Sequence, residues 1–242
     1  MKPLAFLLFL CAGLTGQNLT YRENCAACHG IRGDGAGPYA QRLLDQKPRD
    51  FTEANFRFRS TASGDLPARE DLARVILNGI SLSSMPAFNG WLDEEDIREL
   101  TAELMGFSSR WKAEGPGQPV LLPARAIPLA NDLTRLKGRA LYSLLRCGEC
   151  HGQSGKGDGP KAGLLADSKG LPVAPRDFTP GKFKSGPSDA EVVRSFMLGL
   201  DGTPMASFAN TLTGQRPWYM LDHIRSFEEK QWFAKLFLFP AR

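Results

Sequence analysis

Apolar residues recur at helical spacing in several stretches, and none shows the sustained two-residue alternation of a strand. Leu72, Val75 and Ile76 fit a period of 3.6 residues and predict a helix from around Arg69 to Asn78. A second amphipathic stretch opens at Asp93, a good N-cap residue. Glu94, Glu95 and Asp96 then place negative charge on its electropositive first turn. Ile97, Leu100, Leu104 and Phe107 form its apolar stripe. Long glycine- and proline-rich stretches separate the helical segments. The pattern predicts an all-α chain with long loops.

The chain also repeats itself. An offset of 122 residues lays Cys25-Ala-Ala-Cys28-His29-Gly30 over Cys147-Gly-Glu-Cys150-His151-Gly152. The same offset pairs Gly33, Gly35, Gly37 and Pro38 with Gly155, Gly157, Gly159 and Pro160, and Gly16 and Leu19 with Gly138 and Leu141. After a five-residue insertion in the second copy, Arg49-Asp50-Phe51-Thr52 meets Arg176-Asp177-Phe178-Thr179. An offset of 120 then pairs Arg74 with Arg194, Met85 with Met205 and Phe107 with Phe227. Two homologous domains are expected, at 17–107 and 138–227. The segment 108–137, with Pro116, Pro119, Pro123 and Pro128, reads as an extended linker. Its Val120, Leu121, Leu122, Ile127 and Leu129 favour lying along a domain surface. Residues 228–242 form an aromatic, helix-compatible extension that suits either a partner or membrane surface or a fold back over the other domain.

Residues 1–16 read as a signal peptide: Lys2 precedes an apolar stretch from Leu4 to Leu14. Cleavage places the mature chain in the periplasm or an equivalent extracytoplasmic space. Retention as a membrane anchor, or lipidation at Cys11, are the alternatives. The chain has 242 residues, 42% of them hydrophobic, which is enough for real cores. Its formal charge of +4 is small and dispersed, which speaks against a nucleic-acid partner. No apolar run reaches the roughly 18 residues of a membrane span, which excludes a transporter or channel.

The repeated C-x-x-C-H is the attachment signature of c-type haem. Two cysteines three apart share one helical face and can reach the two vinyl groups of one porphyrin. The adjacent histidine is then carried beneath the iron. A thioredoxin-like pair would sit in a βαβ pattern, which is not visible here. Zinc would leave the histidine redundant in both copies. Of the candidates for the sixth ligand, Met85 and Met205 alone coincide under the repeat. Met197 and Met220 fall opposite Leu77 and Leu100 and read as packing residues. Met105 falls opposite Arg225, and His223 opposite Glu103, which suggests a solvated face. Pro86 follows Met85 whereas Pro204 precedes Met205, so the two loops are expected to differ in detail. A carbonyl near Pro38 or Pro160 is a candidate acceptor for the histidine Nδ1–H. Arg49, Arg57, Arg59, Arg176, Lys182 and Lys184 either pair with haem propionates or form a solvated basic surface. Asp50 and Asp177 suit local turns.

Together these residues resemble the class I cytochrome c family, as a tandem dihaem member. The resemblance implies two covalently bound haem c groups, attached at Cys25, Cys28, Cys147 and Cys150. It implies His29 with Met85 and His151 with Met205 on the irons, and electron transfer between respiratory-chain partners rather than catalysis. The Gly-x-Gly-x-Gly-Pro and Arg-Asp-Phe-Thr loops are also similar to cytochrome subunits that accompany respiratory molybdenum oxidoreductases such as nitrate reductases. That likeness implies a redox complex as partner, reached through the C-terminal tail. The rival class is a dihaem redox enzyme, a peroxidase or a thiosulfate-oxidising cytochrome. It would need a displaceable sixth ligand or a spare cysteine.

Overall fold

The computed structural model describes residues 19–43, 47–127 and 129–238, with side chains as far as Glu228. The leader, Cys11 and the side chains of the aromatic extension lie outside the described residues. Helices α1 (Leu19–Asn24), α2 (Ala26–His29), α3 (Arg69–Asn78), α4 (Glu94–Gly106) and α5 (Ser109–Glu114) make the first half. Helices α6 (Asp132–Leu144), α7 (Gly148–His151), α8 (Asp189–Leu198) and α9 (Arg216–Leu238) make the second. Extended pairing among the described residues is confined to two isolated bridges, Asn89 with Leu92 and Ala166 with Pro172, so the fold is all-α as expected. No helix among them is long and apolar enough to cross a membrane.

Local chemistry sets the helix ends. Asp93 accepts from Asp96 N at 2.9 Å while Asp96 reaches back to Asp93 N at 3.2 Å, closing a capping box on α4. Ser188 and Glu191 do the same for α8. Ala68 has no oxygen to cap α3, and the buried Asp71 carboxylate instead accepts from Ala68 N and Ser60 N, at 3.1 and 2.7 Å.

Two hydrophobic clusters result. The first gathers Tyr21, Phe51, Leu66, Leu72, Ile76, Leu100, Leu104 and Trp111. The second gathers Tyr142, Phe178, Val193, Phe196, Leu212, Leu221 and Phe227. Fully burying a side chain such as Leu100 or Phe227 contributes roughly 1.5–3 kcal/mol. In the second half α6 lies directly on α9, and Gly138 makes the approach possible: a Cβ there would stand 1.9 Å from Tyr219 O.

The stretch 108–137 is not extended throughout. Its first part is α5, capped by Ser108 and closed by Gly115, with Trp111 buried against Phe56. Six residues amid glycine and proline are too few for a periodic signal. Val120 and Leu122 pack on the second cluster, and Pro123 O accepts from Trp218 Nε1 at 2.9 Å. Leu121 and Leu129 stay exposed, contrary to expectation. At the other end of the second half, the helix carrying Phe227 continues unbroken to Leu238.

The halves are joined by ion pairs. Arg59, with a fully buried side chain, meets Asp201 at 2.6 Å, and Arg57 meets Asp167 at 3.5 Å. Lys169 reaches Glu53 at 2.9 Å, and Arg74 reaches Glu191 at 3.4 Å. The repeat register also needs one adjustment. Tyr21 OH donates to Gly30 O and Tyr142 OH to Gly152 O, each at 2.8 Å, so the tyrosines correspond at an offset of 121. Arg146, left-handed at φ +58°, absorbs the extra residue before Cys147.

Candidate functional site

Each cysteine motif forms one short helical turn. Cys25 precedes α2 and His29 ends it, with His29 N donating to Cys25 O at 2.9 Å; His151 and Cys147 repeat this around α7 at the same distance. Gly30 and Gly152, at φ +79° and +77°, then turn the chain away. All four cysteines are half-buried, and none is joined to another in a disulfide. Burial pushes the Cys25 and Cys147 thiols up to about 11, the opposite of what an attacking thiolate needs. Among the described residues no three of His, Cys, Asp or Glu converge as a zinc site requires. Both rival readings of the motif lose ground.

The histidines are held identically. His29 Nδ1–H donates to Arg49 O at 3.0 Å, and His151 Nδ1–H to Arg176 O at 3.0 Å. Phe51 stacks on the His29 ring and Phe178 on His151, each with centroids 4.5 Å apart. Burial lowers both imidazole pKa values, so the neutral ring is favoured. A donor on Nδ1 leaves the lone pair on Nε2, the atom a metal would take. The acceptor is therefore not near Pro38 or Pro160 but within Arg-Asp-Phe-Thr. In that motif Arg supplies the carbonyl and Phe the stacked ring. Asp50 and Asp177 accept from the N–H and hydroxyl of Thr52 and Thr179, closing a small turn. The duplication of that tetrapeptide was the available signal.

Met85 and Met205 sit half-buried at the margins of the first and second clusters. Their loops share one hydrogen-bond frame. Ile80 N donates to Met85 O at 3.1 Å and Leu200 N to Met205 O at 2.9 Å. Met85 N donates to Ser83 Oγ and Met205 N to Thr203 Oγ1, both at 3.2 Å. The proline positions do not alter this frame, because neither proline supplies a bond to it. Met197 and Met220 are buried in the second cluster, and Met105 packs against the first. His223 is not on a solvated face: it is buried, edge-on to Tyr142 and Phe227.

Arg57 and Arg59 are engaged across the halves rather than solvated. Around Phe56, two buried donors, Trp111 Nε1 and Arg57 Nε, find no acceptor among the described residues. Buried donors normally have partners, so these suit an acidic group the chain does not itself supply. Paired thiols on one turn, a histidine presenting Nε2, and unanswered donors nearby fit a covalently held haem.

The family profile of cytochrome c oxidase, cbb3-type, subunit III matches residues 14–102. A solved chain of the reducing HAO-like protein complex of Kuenenia stuttgartiensis is 39% identical. The match covers 86% of this chain and 93% of that one, with a TM-score of 0.79. No curated protein matches at a significant level. With this profile over the first cysteine motif and a relative that similar across most of its length, the chain belongs to the cytochrome c family, with a class I-like domain and covalent haem c.

Proposed function

We propose that the chain is a tandem dihaem c-type cytochrome that carries electrons between redox partners outside the cytoplasm. The observation that carries this reading is the twin support of His29 and His151, by carbonyl and stacked phenylalanine at matching distances. On this reading the units are 17–107 and 138–227. Cys25 with Cys28, and Cys147 with Cys150, tether one haem each. His29 and Met85 serve the first iron, and His151 and Met205 the second. Each bound haem supplies an iron that moves between ferric and ferrous states without making or breaking substrate bonds.

The chain's residues set the conditions for that exchange. Arg49 O and Arg176 O fix the histidine tautomer and make the ligating nitrogen more basic. A methionine thioether favours the ferrous state, and the apolar clusters beside it act in the same direction. The leader-like residues 1–16 support export. Membership of the 39%-identical chain in an HAO-like complex supports a role as one subunit of a larger redox assembly. The tail 228–242 is then the docking element, with a molybdenum oxidoreductase as the other candidate partner.

Haem content tests the reading. Protein matured in a host competent for haem c attachment should carry two haems per chain, both retained through acid–organic extraction. Cys147→Ala should weaken or lose the second attachment and leave the first. A mass equal to the bare polypeptide would overturn it.

A further inference from the structure

The loop that ends at Met205 is gripped from the other half of the molecule. Arg59 donates to Asp201 at 2.6 Å and also to Leu198 O and Gly199 O, at 3.3 and 3.4 Å. One buried guanidinium thus closes the C-terminus of α8 and pairs with the loop that follows it. Ser63 Oγ and Gly64 N add bonds to the same carboxylate, at 2.8 and 3.1 Å. Asn55 lies against Gly202. Inside the loop, Leu200 N bonds to Met205 O, and Leu200 O accepts from Thr203 Oγ1 at 2.7 Å. Leu200 stands between the gripped residues Gly199 and Asp201, so a shift there passes straight to Met205.

The gripping segment belongs to the first copy alone. Arg69 follows Phe56 by 13 positions, whereas Asp189 follows Phe183 by 6, so the first copy is longer by 7 residues before its helix. Arg59, Ser63 and Gly64 all lie in that longer stretch. In the first half's own methionine loop, the position of Asp201 is taken by the exposed Ser81.

We infer that Arg59, in the first half, is a positioning residue for Met205 in the second, acting through Asp201 and the C-terminus of α8. The inference rests on Met205 being an iron ligand. It makes the second site depend on a residue of the first half.

The test uses the full-length protein with both haems attached, reduced and examined by proton NMR. A methionine bound to ferrous haem gives an ε-methyl signal displaced far upfield by the porphyrin ring current. Met85→Ala and Met205→Ala assign one signal to each site. Arg59→Met and Asp201→Asn should then each broaden or shift the Met205 signal and leave the Met85 signal in place. The fraction of second-site methionine off the iron, read by carbon monoxide binding, should rise about tenfold or more, the scale of losing one charged hydrogen bond from a coupled loop. Arg59→Lys should recover part of the effect, since an ammonium can reach Asp201 but cannot serve both α8 carbonyls at once. If Arg59→Met is too unstable to study, Asp201→Asn carries the test alone. Unchanged Met205 signals in these variants, or equal disturbance of both sites, would overturn the inference. If Met205→Ala itself removes no signal, the ligand assignment falls first, and the inference with it.

Discussion

The two methionine loops, 80–85 and 200–205, have the same internal bonds and different surroundings. In each, a hydroxyl two residues before the methionine bonds back to the loop's first carbonyl and receives the methionine N–H. The first loop leaves Ser81 and Leu82 exposed, while the second is held by Arg59, Ser63, Gly64 and Asn55. The third position differs too: Leu82 takes a left-handed conformation at φ +59°, where Gly202 takes it at +76° without a side chain to strain. The shape of the turn is therefore local, written in Ser83 and Thr203. Its stiffness comes from whatever packs outside it.

The largest expected contrast is between Asp201→Ala and Ser81→Ala. The first strands a buried guanidinium and should cost about 3–5 kcal/mol. The second removes an exposed hydroxyl and should stay within about 0.5 kcal/mol. Denaturant unfolding of the two variants measures both, and equal costs would erase the distinction between a held and an exposed loop. A middle effect is expected at the left-handed position. Gly202→Ala adds a Cβ 3.0 Å from Asn55 Nδ2 at a positive φ and should lose about 1–2 kcal/mol. Leu82→Gly should gain about 0.5 kcal/mol, relieved strain outweighing added chain entropy. Thermal midpoints of opposite sign would sharpen the comparison. The smallest effect should be the one the loops share. Ser83→Ala and Thr203→Ala should each cost about 1 kcal/mol, and similar values in the two would confirm that the frame itself is local.

Much of this was legible in the sequence, for identifiable reasons. Helix α3 and the start of α4 are written in periodicity and in the Asp93 cap, so both fall where the residues put them. The twin cysteine motifs announce the cofactor through spacing alone. What could not be read depends on backbone or on distant packing. The acceptors for His29 and His151 are carbonyls 20 and 25 residues away, and a carbonyl leaves no mark in a sequence. His223 is hidden from such reading because burial does not follow the repeat at that position. The thirteen-residue α6 lies along α9 and, opened by Gly138, covers it. Arg59 reads in the sequence as a propionate partner or a solvated charge, because its actual partner stands 142 positions further on.

The contact between the halves is self-complementary in outline. Arg74 on α3 meets Glu191 on α8, the helix that matches α3 under the sequence repeat. Arg59, Ser63 and Gly64, on the stretch leading into α3, hold the second methionine loop. Gly79 and Ser81, at the start of the first loop, line one cavity with Lys184, Ser185, Gly186 and Pro187, on the stretch leading into α8. Each surface thus faces its own counterpart, and a contact of that kind closes on itself as the interface of a two-fold dimer does. The longer first-half stretch makes one side of that closure the tighter.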